Sequence, residues 1–236
     1  MSTEAPAVLR KPDSLRSQVE NYLREAIMNG RFKPGEKLSE RELCELLDVS
    51  RPSLREALRK LEAEKLITMV LHRGPVVSSI SVSEARDLYA IRGLLESHAA
   101  SEFAKLASDD TVAALGVAVK NLNQEAASGD RKRLLAAKAD FYDVILNGCG
   151  NQLIKEMLLS LLSRINLLRS TSFSHADRLS ESLKEIDQLY ACIKARNATA
   201  AGKAARLHIQ NAEKAALDVL SQQQTQPPPP ARPHKE

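Results

Sequence analysis

Ser39 to Arg59 reads SERELCELLDVSRPSLREALR. Glu40–Leu47 has the composition of a short helix, Asp48-Val49-Ser50 that of a turn, and Arg51–Lys65 that of a second helix. Ser50 is a good N-cap, and Pro52 falls in the first turn, where proline is tolerated. At about 100° per residue, Leu54, Ala57, Leu58 and Leu61 share one arc, while Arg51, Arg55 and Arg59 fall at about 0°, 40° and 80° on the adjoining one. A basic stripe by itself is most often a solvated face. Here it follows a tight turn behind a first helix, with Leu43, Leu46 and Leu47 expected inward, and that is the form of a helix-turn-helix whose second helix reads DNA.

The flanks extend this reading. Leu15–Asn29 is amphipathic and closed by Gly30, and Lys37-Leu38 is a candidate short strand. Leu66–Val70, His72-Arg73-Gly74 and Pro75–Ser79 read as a hairpin. A helix-turn-helix followed by a hairpin is a winged helix. Arg41, at the start of the first helix, is placed for phosphate contact. Arg73-Gly74 at the wing tip either reaches the minor groove or backbone, or serves only the turn.

Proline then disappears from Val76 to Gln226, and this stretch is rich in Ala and Leu. An all-helical second domain is expected. Its first helix is Val82–Ala107, opened by the capping box Ser81-x-x-Glu84, with Leu88, Ile91, Leu95 and Ala99 as apolar positions. Further helices run from Asp109 or Asp110 to about Ala127, from Gly129-Asp130 to about Asn147, past Gly150-Asn151 to about Arg169, then to about Arg196 after a Ser170–Ser174 loop, and from Thr199 to about Leu220. The fold class is thus mostly α: an N-terminal winged helix-turn-helix with a small β wing, and an all-α bundle of six to seven helices. The domains are a flexible 1–11, a DNA-binding 12–80, a helical effector and dimerisation domain 81–222, and a disordered or polyproline-like tail 223–236.

Composition narrows the function. Of 236 residues, 43% are hydrophobic and 27% charged, which describes a soluble globular chain. Aromatics are only 3%, too few for the stacking platforms of a single-strand nucleic-acid binder. The net charge of +4 is mild, so a nucleic-acid signal must come from charge placement. Cys44, Cys149 and Cys192 show no zinc or disulfide spacing, which with the lack of an apolar leader or membrane-length run points to the cytoplasm. No nucleophile–base pair or phosphate loop appears, so an enzyme is not expected.

These residues resemble the GntR family of bacterial transcription regulators, through FKPGEKLSERELCELLDVSRPSLREALRKLEAEKLI and the wing HRGPVV. The resemblance implies a homodimer on a short palindromic double-stranded DNA operator, with contacts at Arg41, Ser50, Arg51, Ser53, Arg55 and Gly74. Arg59 and Arg73 join that set from the arc and the wing. The second domain is similar to the FCD-type effector domain of the FadR subfamily, through SVSEARDLYAIRGLLESHAASEFAKLA, DFYDVILNGCGN and ARLHIQNA.

Many such domains hold a divalent metal with an Asp and a His four residues apart and two later histidines. Alignment on Gly150-Asn151 puts Lys138 and Tyr142 at the first two positions and places the third near Ile186, leaving His208 as the match. A charged Lys and an Ile cannot ligate a metal, so no family-type metal site and no cofactor are expected. Lys138, Tyr142 and His208 are candidate effector contacts for an anion such as a carboxylate, or else Lys138 runs its stem out to solvent. Arg92 either lines that pocket or pairs with Glu96 along its helix. The leading expectation is a repressor released by a small anionic metabolite. The alternatives are a ligand-independent architectural protein and a metal-dependent regulator.

Overall fold

The computed structural model describes residues 15–28, 30–172 and 176–225. The described chain runs α1 (Leu15–Met28), α2 (Glu40–Leu47), α3 (Arg51–Ala63), β1 (Ile67–Val70), β2 (Gly74–Val77), α4 (Val82–Leu106), α5 (Asp109–Ser128), α6 (Arg131–Gly148), α7 (Gln152–Ser172), α8 (Ala176–Lys194) and α9 (Ala198–Thr225). It is mostly helical with one two-stranded antiparallel sheet, and six of the described helices follow Ser81. Two compact units form: one on residues up to Ile80 with Ser163–Ser170, the other on Ser81–Leu162 and the residues from Thr171.

In the first unit, Val19, Leu23 and Ile27 of α1 share a core with Leu43 of α2, Leu54, Ala57, Leu58 and Leu61 of α3, and Ile67 and Val77 of the hairpin. Burying one such side chain contributes about 1.5–3 kcal/mol. Leu46, expected inward, stands 51% exposed. With eight residues, α2 offers one narrow inner face, which Leu43 fills while Leu47 packs at its edge. A buried carboxylate, Glu20, joins α1 to α3, held by Arg16 at 2.8 Å and Lys60 at 3.2 Å.

The hairpin pairs Ile67 with Val77 and Val70 with Gly74. Instead of a strand at Lys37-Leu38 there is a single bridge, Lys37 to Val76, reinforced by Leu38 N donating to Pro75 O and Val77 N to Glu36 O. Gly74 has φ +82° with open space where a Cβ would be, so its requirement for glycine is conformational.

The second unit is cored by Ala99, Phe103, Leu115, Phe141, Ile186 and Ile193 among others. Local signals start its helices: Ser81 and Glu84 cap each other, Ser108 accepts from Thr111 N, and Asp130 accepts from Lys132 N and Arg133 N. Ile91, expected in the core, is 44% exposed, because α4 turns Tyr89, Arg92, Gly93 and Glu96 inward in its place.

Three boundaries differ from expectation. α7 continues to Ser172, through the first part of the expected loop, since Ser and Thr tolerate a helix whose packing is set elsewhere. α3 stops at Ala63 because Lys65 takes φ 60°, and α9 runs to Thr225, where glutamines favour helix until proline intervenes. The expected loose segment 1–11, loop positions 173 and 174, His175, His234 and tail residues 226–236 lie outside the described residues.

Candidate functional site

The exposed site is built on α3. Ser50 is extended (φ −69°, ψ 150°) and its hydroxyl accepts from Ser53 N at 3.4 Å, while the two hydroxyls lie 3.0 Å apart. This cap leaves the helix N-terminus open to solvent with its partial positive charge. Arg51, Arg55 and Arg59 are all exposed along one arc, adjoining the buried Leu54–Leu58–Leu61 stripe. Arg55 Nε donates to Glu40 Oε2 at 2.9 Å, tying α3 to the first turn of α2. Arg41 is exposed, and its nearest carboxylate is Glu45 at 3.8 Å. Asp48 between the helices adopts the left-handed conformation, φ 50°. At the wing, Arg73 folds back so that Nη2 donates to Gly35 O at 3.4 Å.

The second site is buried in the helical unit. Arg92 is 1% exposed, donates to Glu96 Oε1 at 2.8 Å and lies 5.0 Å over the Tyr89 ring. The helical pairing with Glu96 is therefore realised, but inside the fold. Burial opposes the Arg92 charge, and Glu96, Tyr142 and Tyr89 outweigh it, so its pKa is raised. Lys138 is 7% exposed and donates to Ser182 Oγ at 3.5 Å, which corrects the alternative that it runs its stem out to solvent.

His208 lies beside Lys138 electrostatically and bonds through Nδ1 to Glu185 Oε2 at 2.6 Å. Burial pushes the His208 pKa down to about 4 against the pull of Glu185, and Lys138 adds to the depression. The imidazole is thus neutral near pH 7, with Nδ1–H donating to Glu185 and Nε2 left as an acceptor. Glu185 also accepts from Arg178 through both oxygens (2.9 and 2.8 Å) and from Asn211 at 2.8 Å. Its burial raises the pKa, and the bonds from His208, Arg178 and Asn211 overcome this to hold it at about 2.

Beside this cluster is a cavity of about 20 Å³, room for about one water. Phe141, Ile145, Leu146 and Leu189 wall it together with parts of Tyr142, His208 and Glu96, and its surface is almost wholly apolar.

The fold brings Arg92, Lys138, Tyr142 and His208 to one region. It adds Glu96, Arg178, Ser182, Glu185 and Asn211. For Arg178, Ser182 and Glu185 the signal was present in α8: positions 178, 182, 185 and 189 share one helical face, so a core stripe was carrying Arg, Ser and Glu.

The residues present do not fit a family-type metal. Ile186 is core, its neighbour Glu185 reaches His208 instead, and the set offers a carboxylate and one imidazole beside an ammonium. Among the described residues no group of three or more His, Cys, Asp or Glu converges.

Comparison with known proteins identifies both units. Residues 15–77 match the model of bacterial regulatory proteins, gntR family, and residues 87–211 match the FCD domain. The chain belongs to the GntR family of bacterial transcription regulators. This GntR regulator is 30% identical over 198 residues to the HTH-type transcriptional repressor GlaR of Escherichia coli, covering 80% of this chain and 89% of that one. It is 26% identical over 205 residues to the HTH-type transcriptional repressor RspR of the same species, covering 86% and 89%. A crystal structure of a GntR-type transcriptional regulator from Rhodococcus sp. RHA1 superposes with TM-score 0.74 at 25% identity, covering 86% of this chain and 97% of that one. The winged helix of this GntR regulator is its DNA-binding domain and the FCD unit its effector domain. Among the described residues no helix is long and apolar enough to cross a membrane.

Proposed function

We propose that this GntR regulator is a repressor that binds a palindromic operator as a homodimer and leaves it when a small anion enters the buried cluster of the FCD domain, without a metal. The observation that carries the DNA half is the exposed arginine arc on a capped helix. Arg51, Arg55 and Arg59 offer guanidinium forks to guanine edges, Ser50, Ser53 and the helix N-terminus serve phosphate, and Arg41 fixes register from α2. Arg73 swings off Gly35 to reach the duplex, and Gly74 holds the wing turn that presents it.

The effector half rests on the buried Arg92, Lys138 and His208 and the neighbouring cavity, all in the unit that the family uses for effectors. A coupling of about 1–3 kcal/mol between the sites gives roughly 5- to 150-fold in operator affinity.

The test is mobility shift of the full-length protein on the DNA upstream of its own gene. The expected result is a complex that is lost when Arg51, Arg55 and Arg59 are all changed to Ala. Equal binding by that variant, with its fold intact by circular dichroism, defeats the proposal.

A further inference from the structure

Among the described residues Arg55 is the member of the arginine arc whose guanidinium is bonded to a carboxylate: Nε donates to Glu40 Oε2 at 2.9 Å. The two residues are fifteen positions apart and belong to different helices. Both backbones are fixed. Glu40 opens α2, directly after the Ser39 cap and three residues before the buried Leu43. Arg55 lies between Leu54 and Ala57 of α3, both fully buried in the core of the same unit.

Stability does not account for the pair. The Arg55 side chain is 61% exposed, and ion pairs in that setting contribute little to folding. An acid at the first position of a helix is favoured by the dipole, which explains a Glu at 40 but not its bond to α3. Against DNA the same carboxylate repels phosphates, so it weakens binding to any sequence. What the bond does is restrict Arg55. A free arginine loses rotamer freedom when it docks on a base, and one already held loses less. With Nε engaged, Nη1 and Nη2 remain as the outward fork, a pair of donors that fits guanine O6 and N7.

We propose that Glu40 is a positioning residue for base recognition: it holds the Arg55 guanidinium so that the Nη1–Nη2 fork reads one guanine, and it thereby sets selectivity rather than affinity. This deepens the DNA half of the repressor reading and rests on it. Loss of the Glu40 carboxylate lowers the preference for that guanine and leaves the rest of the sequence preference in place.

The experiment starts with selection of duplexes from a random-sequence pool by the full-length protein, wild type and Arg55→Ala. The base pair whose preference Arg55→Ala removes is the one that Arg55 reads. Dissociation constants are then measured for the selected duplex, for the same duplex changed at that base pair, for one changed at a different preferred base pair, and for an unrelated duplex. In Glu40→Ala the ratio at the Arg55 base pair should fall about two- to tenfold, the span expected from ordering one long side chain. The ratio at the other base pair should hold, and affinity for the unrelated duplex should rise as a negative charge is removed. Glu40→Gln, whose amide oxygen still accepts from Nε, should show a smaller fall. Adding Glu40→Ala to Arg55→Ala should lower the ratio no further.

If Glu40→Ala fails to fold by circular dichroism, Glu40→Gln carries the test. An unchanged ratio at the Arg55 base pair in the folded variants, or an equal loss at every base pair, overturns the proposal. Tighter and more selective binding also overturns it, and would mean that Glu40 holds Arg55 away from DNA. Failure of the wider reading looks different: Arg55→Ala then keeps every base preference, and both fall together.

Discussion

The two units handle charge in opposite ways. The winged helix spreads Arg51, Arg55 and Arg59 over solvent, where each charge is hydrated and costs the fold little. The FCD unit encloses Arg92 and Lys138 and half-buries Arg178, where each depends on fixed partners. An exposed charge is available to a ligand as large as DNA, and can be lost without unfolding the protein. An enclosed charge selects a small ligand closely, and its neighbours cannot be altered one at a time without cost.

The most severe way to break this comparison is to delete the arc. Changing Arg51, Arg55 and Arg59 to Ala should lower operator affinity on the order of a thousandfold, at about 1–3 kcal/mol per lost contact, with little change in melting temperature. A large melting loss in that variant would mean that the arc belongs to the fold rather than to DNA recognition.

The reverse pattern is expected at Glu185. Glu185→Ala strips Arg178, Asn211 and His208 of their acceptor. It should cost about 3–5 kcal/mol in urea unfolding, as breaking a buried pair does. Glu96→Ala, which strands Arg92, belongs in the same range. Losses no greater than those of surface pairs, about 0–1 kcal/mol, would place the cluster in contact with water.

Acid sharpens the contrast between the units. His208 is depressed in the folded state to about 4 and Glu185 to about 2. The unfolded chain therefore binds more protons than the folded one as pH falls below about 6.5 for the histidine, and again below about 4.5 for the glutamate. Stability should be full near pH 7, decline from about 6.5 to 4 through His208, and decline further toward 2 through Glu185. His208→Gln should flatten the upper part of that decline in melting curves taken at stepped pH. A wild-type melting temperature level from pH 7 to 4 would contradict the buried neutral imidazole.

The smallest effects lie in the winged helix backbone. Asp48→Gly relieves the left-handed residue between α2 and α3 and should add about 0.5 kcal/mol, whereas Gly74→Ala should cost about 1 kcal/mol by strain alone. Circular-dichroism melting of both variants measures this pair, and opposite signs are the expected result.

Much of the winged helix was legible because its instructions are local. The Ser50 cap, the proline in the first turn, the leucine stripe and the arginine arc all lie within a few turns of one helix. Leu46 misled, because one apolar residue on a two-turn helix does not reveal which side its neighbours cover. In the helical unit the caps were equally plain. Ile91 and the inward face of α4 were not legible, since Arg92 and Glu96 have the spacing of an ordinary surface pair. What makes that face interior is covering by chain distant in sequence.

The sequence by itself determined the helices, their starts, the winged helix and the side of α3 that carries its arginines, because backbone caps and the 3.6-residue period act over neighbouring residues. Only the tertiary structure decided that Arg92 and Lys138 are enclosed and that Glu185, rather than its neighbour Ile186, holds His208. Solvation of a charge depends on everything packed around it. Those groups come from α4, α6, α8 and α9, which no local pattern relates to one another.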